Sequence, residues 1–178
     1  MNFDAIVIGG GAAGLFCAIT AGKRGKRVLV IEHNQEVGRK IVISGGGRCN
    51  FTNLNVTAEN FVSQNPHFCK SALAGFTPQD FIELVRKHKI AYYEKTLGQL
   101  FCRESSRQIV DLLLTECGKA KVEIMTGCSV TRVSQDGNFA LETSQGKFTT
   151  ANLIVACGGL SFPKIGATGF GYDIARQF

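Results

Sequence analysis

After an apolar run, AIVI (5–8), and leading into a stretch rich in small and apolar residues (12–20), the chain places Gly9, Gly11 and Gly14 in G-x-G-x-x-G spacing. Few short sequences constrain a fold more tightly. A wholly apolar run of this length suits a parallel strand covered on both faces. Gly9 permits the tight turn out of it, Gly11 lets a pyrophosphate approach the backbone, and Gly14 lets the following helix lie close to the strand. Ala18, four residues after Gly14, keeps the same helix face small. Gly22, Gly25 and the basic residues Lys23 to Arg27 end the helix. VLVIE (28–32) is then a second buried strand, completing a βαβ unit. The unpaired N–H groups at the helix start, with the positive end of its dipole, suit an anion. Glu32 closes the second strand 18 residues after Gly14, where a carboxylate accepts from ribose hydroxyls and disfavours NADP at this site.

A second glycine cluster follows at once: Gly38-Arg39-Lys40, then Ser44-Gly45-Gly46-Gly47-Arg48-Cys49-Asn50. A dehydrogenase that binds NAD satisfies both phosphates at the first turn. FAD adds a ribityl chain and a tricyclic ring that need bare main chain beyond the pyrophosphate. Arg39, Lys40 or Arg48 would offset phosphate charge. The expected cofactor is therefore FAD.

With these residues in view, IGGGAAGLFCAI, GRKIVISGGGRCNFTN and LIVACGGLSFPKIGATGFGYDIA resemble the bacterial aminoacetone-oxidase-like or BaiN-like NAD(P)/FAD-dependent oxidoreductases. These belong to the wider glutathione-reductase-like flavoproteins, and the resemblance spans essentially the whole chain. It implies that Gly9, Gly11, Ala13, Gly14 and Glu32 hold the ADP portion. Arg39, Lys40, Ser44, Gly45, Gly46, Gly47, Arg48, Cys49 and Asn50 would line the pyrophosphate, ribityl and flavin side. Val130 would meet adenine through its backbone, and Gly158 and Gly159 would make a second close approach to the cofactor. Two positions depart from the family pattern: Cys157 replaces a threonine, and Phe170 stands where a small or acidic residue is common. The resemblance also implies a discontinuous FAD domain, with a substrate domain and the rest of the flavin site beyond residue 178.

The remainder reads as α/β. Residues 38–65 are glycine- and asparagine-rich and expected as loop. TPQDFIELVRKHK (77–89) is a helix with Thr77 as cap, Pro78 in the first turn, Asp80 closing a capping box, and an inward stripe of Phe81, Leu84, Val85 and His88. Residues 90–102 form a hairpin turning near Gly98, and 105–117 a second amphipathic helix. VEIM, SVTRVS, FALETS and KFTT make a small antiparallel meander, and LIVACGG (153–159) returns to a buried parallel strand. The closing helix is short and lacks a cap signal, so the chain is expected to be the N-terminal piece of a larger protein. The fold class is thus a Rossmann-like FAD-binding domain over 1–178, with a parallel sheet, helices and a small antiparallel meander.

Seven cysteines, with no CxxC pair and no metal spacing with the three histidines, read as buried apolar residues, and no metal is expected. Cys49 is the one redox candidate, without a partner cysteine nearby in sequence. His33, His67 and His88 stand isolated, and no residue announces itself as a catalytic acid or base, so the catalytic residues stay unknown. The basic residues behind the net charge of +6 are scattered, so nucleic acid is not required. No apolar run is long enough to cross a membrane, and the N-terminus has Asp4 where a signal peptide needs basic residues. The expectation is a cytoplasmic FAD oxidoreductase passing hydride between a reduced nicotinamide, NAD(P)H, and a small organic substrate. Its oligomeric state is left open. The alternatives are an RNA-modifying flavoprotein and a non-catalytic FAD-binding module.

Overall fold

The βαβ unit is present as expected. β1 (Asn2–Ile8), α1 (Ala12–Lys23) and β2 (Val28–Ile31) follow one another, with β1 and β2 parallel from Ala5–Val28 to Ile8–Ile31. The computed structural model describes residues 1–160 and 163–178; Ser161 and Phe162, inside the third family-like motif, lie outside the described residues. α1 runs one turn further than the breakers suggested. Its end is a glycine-type cap, in which Lys26 N–H reaches Ala21 O (3.2 Å), Gly25 N–H reaches Gly22 O (2.9 Å), and Gly25 takes φ +77°.

The chain divides into two compact units, Met1–Ile41 with Leu113–Phe178, and Val42–Leu112. Its remaining elements are α2 (Arg39–Ile43), β3 (Asn50–Asn53), α3 (Lys70–Gly75), α4 (Pro78–Lys87), β4 (Tyr92–Glu94), β5 (Gln99–Cys102), α5 (Arg107–Lys119), β6 (Glu123–Met125), β7 (Val130–Asp136), β8 (Asn138–Thr143), β9 (Gly146–Val155) and α6 (Phe170–Gln177).

The first unit is built on a six-stranded sheet of order β6-β2-β1-β9-β8-β7. β6, β2, β1 and β9 are parallel, while β8 and β7 turn back antiparallel. Two expectations are corrected here. VEIM is not part of the meander: β6 lies parallel to β2, because α5 supplies the crossover that a parallel pairing requires. KFTT and LIV are not two strands either. β9 is continuous, pairing with β8 at its start and with β1 from Thr149 to Val155. The polar Asn152 between them does not break it, since its amide donates to Asp4 O at 2.8 Å.

The core on one face of this sheet gathers Phe3, Ile6, Ile8, Leu29, Ile31, Val133, Leu141, Phe148 and Ile174. Each such burial contributes about 1.5–3 kcal/mol. On the other face Gly14 of α1 lies against Val7, as a small residue there requires. The end of β9 is less covered than expected, with Val155 42% exposed, because α6 buries only Ile174.

The second unit carries a three-stranded antiparallel sheet, β3-β5-β4. The expected hairpin is β4–β5, turning through Gly98 at φ +80°. The segment expected to be loop contains α2, a 3-10 turn (Ser44–Gly47) and β3, so glycine and asparagine there serve tight local structure rather than its absence. On α4 the Thr77–Asp80 capping box forms as expected, while Ile82 and Val85 are the fully buried positions and Phe81, Leu84 and His88 flank them. Phe51 meets Phe81 and Tyr92 edge-on at 5.9 and 5.6 Å, closing that face. Among the described residues no helix is long and apolar enough to cross a membrane.

Candidate functional site

In the first unit the glycine turn is shaped by what touches it. Gly9 takes φ +111°, and a Cβ there would lie 2.5 Å from Ala156 O. A Cβ on Gly14 would fall 1.9 Å from Gly9 O, so the helix is as close to the turn as backbone allows. Gly11 is different. A Cβ there meets nothing within 4 Å, so bareness at this position serves a space rather than a neighbour. Gly11 caps α1 without a side-chain bond, no acidic residue occupies the first turn, and Ala12 and Ala13 are exposed. Since the first helical bond closes at Leu15 N–H, the N-terminal donors before it are available to an anion.

Glu32 is buried at the end of β2, and both of its oxygens are engaged. Oε2 accepts from Gly10 N–H (2.8 Å), while Oε1 accepts from Asn34 N–H (2.8 Å) and Asn34 Nδ2 (2.7 Å) and lies 3.1 Å from His33 Nδ1. The carboxylate is thus a strut between the two strand ends, and His33 is not isolated. Asn34 is the residue that sequence reasoning missed. Beyond holding Glu32, its carbonyl accepts from Gly127 N–H (2.7 Å) and its Oδ1 from Arg39 (2.6 Å). Its only sequence signal was its place just past a strand-ending carboxylate.

The same unit brings up the other expected residues. Cys128 N–H reaches Glu32 O at 3.0 Å, and Val130 follows two residues along. Ala156 N–H continues the β1–β9 pairing onto Ile8 O, setting Cys157, Gly158 and Gly159 beside the glycine turn. A Cβ on Gly158 would come to 4.0 Å from Lys40 Nζ, and one on Gly159 to 3.0 Å from the Tyr172 hydroxyl. Cys157 has its pKa raised, chiefly by burial and further by the Glu32 charge, and stays a thiol near neutrality. Phe170, the second departure from the family pattern, opens α6 and packs partly buried against the core of this unit.

The second glycine cluster belongs to the second unit and has its own internal logic. Gly45, Gly46 and Gly47 all take positive φ (56°, 65° and 82°), and Cys49 joins them at 48°. A Cβ on Gly45 would lie 2.7 Å from the Phe101 ring, whereas Gly46 and Gly47 face open space within 4 Å. Arg48, expected to face phosphate, donates through NH1 to the carbonyls of Arg103 and Glu104 (the latter at 2.7 Å) and so holds the following loop. The Asn50 amide satisfies Leu100 O and Thr52 O at 3.2 and 3.0 Å. Cys49 has a neighbour that sequence spacing hid, because β3 pairs with β5 and Asn50 faces Phe101, one residue from Cys102. Burial raises both thiols, Cys102 to about 11 with the Cys49 charge adding to it, so neither is a ready nucleophile. Among the described residues no group of histidine, cysteine and carboxylate side chains is set to hold a metal.

Comparison with known proteins gives this geometry its context. A ribosomal RNA dihydrouridine synthase of Escherichia coli is 55% identical over 178 residues, covering 99% of this chain and 44% of that protein. A 3-dehydro-bile acid delta(4,6)-reductase of Clostridium scindens is 31% identical over 177 residues, covering 96% of this chain and 42% of that protein. The chain therefore spans less than half the length of these curated relatives. Among solved structures, NikD, an unusual amino acid oxidase essential for nikkomycin biosynthesis, aligns with a TM-score of 0.59 at 15% identity, covering 90% of this chain and 52% of its own; that likeness shows the fold alone. The HI0933-like protein Rossmann domain matches residues 3–178, and the chain belongs to that family.

Proposed function

We propose that the full-length protein is an FAD-dependent reductase that saturates the ring C=C bond of uridine in ribosomal RNA. The observation that carries this reading is the 55% identity, over 99% of this chain, to a ribosomal RNA dihydrouridine synthase. The residues fit the cofactor. Gly11 opens onto space at an uncapped helix start, and Gly46 and Gly47 present bare main chain to space as well. In this reading Gly9, Gly11, Ala13 and Gly14 take the pyrophosphate and Glu32 shares its carboxylate with the adenosine ribose. Val130 borders adenine. Lys40, Gly158 and Gly159 line the continuation, and Ser44 to Asn50 line the ribityl and flavin side. Arg39 and Arg48 act there by fixing Asn34 and the 103–104 carbonyls rather than by direct charge.

FAD, when bound, supplies a carrier that accepts hydride from reduced nicotinamide and gives it to an electron-poor carbon. Forming dihydrouridine then requires that hydride on one ring carbon and a proton on its neighbour. This chain's part is to hold the dinucleotide and exclude alternatives; we assign it no proton donor. A cytoplasmic location belongs to this reading, since ribosomal RNA is the substrate it proposes.

A second reading, closer to the sequence resemblance, keeps the chemistry and exchanges the substrate for a small conjugated ketone; the 31% identity to a bile acid reductase favours it. One experiment separates the readings. Purified full-length protein is incubated with NADH or NADPH and unmodified ribosomal RNA, and the RNA is digested and weighed by mass spectrometry. A uridine gain of two hydrogens supports the first. Turnover of a conjugated enone with unaltered RNA supports the second. A flavin that neither nicotinamide bleaches would leave only a binding module.

A further inference from the structure

The basic residues that look scattered along the sequence are not scattered in the first unit. α1 and α5 end side by side, since a Cβ on Gly22 would lie 2.6 Å from Ala120 O and 3.0 Å from Ala120 Cβ. Lys23, Arg24 and Lys26 follow from the first helix end, and Lys119 and Lys121 from the second, all exposed. Among the described residues their buried counter-charge is Glu116, whose side chain is 2% exposed. It receives Lys23 on Oε2 at 2.6 Å and Lys119 on Oε1 at 2.7 Å, while both lysine side chains remain 53% exposed. An ammonium has three donors, and Glu116 takes one from each. Nearby Arg27 is engaged by Glu123 at 3.2 Å and lies over the Phe3 ring, and Asp4 accepts from its N–H, so that group is internally satisfied.

Two helix C-termini together present about one negative charge, which accounts for part of this clustering. It does not account for Lys121. That residue is the C′ position of α5, where Val122 N–H reaches Cys117 O (3.0 Å) and Lys121 N–H reaches Gly118 O (3.1 Å). It takes φ +56°, a conformation glycine adopts without strain and lysine does not. A cation stands where the backbone favours glycine.

Resting on the RNA reading above, we propose that Lys23, Arg24, Lys26, Lys119 and Lys121 form a docking surface for the phosphate backbone of the RNA substrate. It lies at the opposite end of α1 from the Gly11 turn, about 18 Å along the helix. It grips the strand away from the reacting base, contributing affinity without sequence preference.

The test uses full-length protein and a ribosomal RNA transcript, with binding measured across salt concentrations. The Arg24→Ala/Lys26→Ala double variant lowers the slope of log affinity against log salt by about 1.4–1.8, each phosphate contact being worth about 0.7–0.9. Lys121→Gly lowers it by about 0.7–0.9, while the melting temperature rises because the left-handed position is relieved. Lys147→Ala, which removes a cation paired with Glu142 elsewhere on the sheet, leaves the slope unchanged. Unchanged slopes in the first two variants overturn the proposal, as does an equal loss in the third. Loss of binding only to vesicles of equal parts phosphatidylcholine and phosphatidylserine also overturns it and gives the surface to a membrane. Wild-type protein that makes dihydrouridine while the variants keep its salt slope sinks this surface alone. Altered slopes without dihydrouridine keep the surface and sink the reaction.

Discussion

Gly10 N–H donates to Glu32 Oε2 at 2.8 Å, joining the glycine turn after β1 to the carboxylate that ends β2. A residue serving only to meet a ribose would leave the empty protein indifferent to its loss. Glu32 is built in more deeply, since Asn34 donates twice to its other oxygen. Glu32→Ala therefore destabilises the cofactor-free protein by about 2–4 kcal/mol, through buried donors left unpaired, in addition to weakening FAD retention. Denaturant unfolding of apoprotein checks the first effect and flavin release the second. An unchanged apoprotein midpoint would reduce Glu32 to a ligand contact.

Gly11 and Gly14 separate folding from binding. Gly14→Ala forces a Cβ to 1.9 Å from a carbonyl oxygen that cannot yield, so the variant loses more than about 3 kcal/mol or fails to fold. Gly11→Ala meets no neighbour and changes stability by about 1 kcal/mol or less. It nonetheless places a methyl group where the pyrophosphate is proposed to approach. Normal melting with flavin lost during purification is the expected result.

The buried thiols are dormant. Burial pushes Cys102 and Cys117 up to about 11, with neighbouring Cys49 and Glu116 charges adding to the effect, so both remain protonated well above neutral pH. Iodoacetamide labelling of native protein at pH 8 spares both, and mass spectrometry finds them modified only after unfolding. Rapid native labelling of Cys102 would restore the Cys49 region as a redox candidate.

The α4 cap gives a pH signature. Thr77 and its backbone hydrogen-bond Asp80 and hold its carboxyl below the usual carboxylate range. A lowered folded value means the contribution is complete above the unfolded value and is lost as pH falls through the folded one. Thr77→Ala costs about 1 kcal/mol at neutral pH, and its difference from wild type shrinks as the medium is acidified below about pH 4. Urea midpoints across that range check it.

Local grammar was legible in the sequence because it is enforced by neighbours along the chain. The G-x-G-x-x-G turn, the Thr77–Asp80 box and the Gly98 hairpin each depend on residues a few positions apart. Strand partners were less legible. Nothing in VEIM says whether it lies beside β2 or the meander; α5 and the open edge of the sheet decide that. KFTT and LIV read as separate strands, whereas one strand runs through Asn152, whose amide is satisfied by the Asp4 carbonyl from 148 residues away. Sequence alone makes the whole second glycine cluster bare for a cofactor, yet Gly45 is bare for Phe101, while Gly46 and Gly47 face space.

The sequence by itself determined that this chain makes a βαβ dinucleotide turn with a carboxylate ending its second strand, because backbone sterics and helix dipoles act within a few residues. Tertiary structure alone decided that the carboxylate is a strut, that Arg48 holds a loop, and that Lys23 and Lys119, from two helix ends 96 positions apart, meet on Glu116. Charge and hydrogen bonding act through space, and distance along the chain does not encode them.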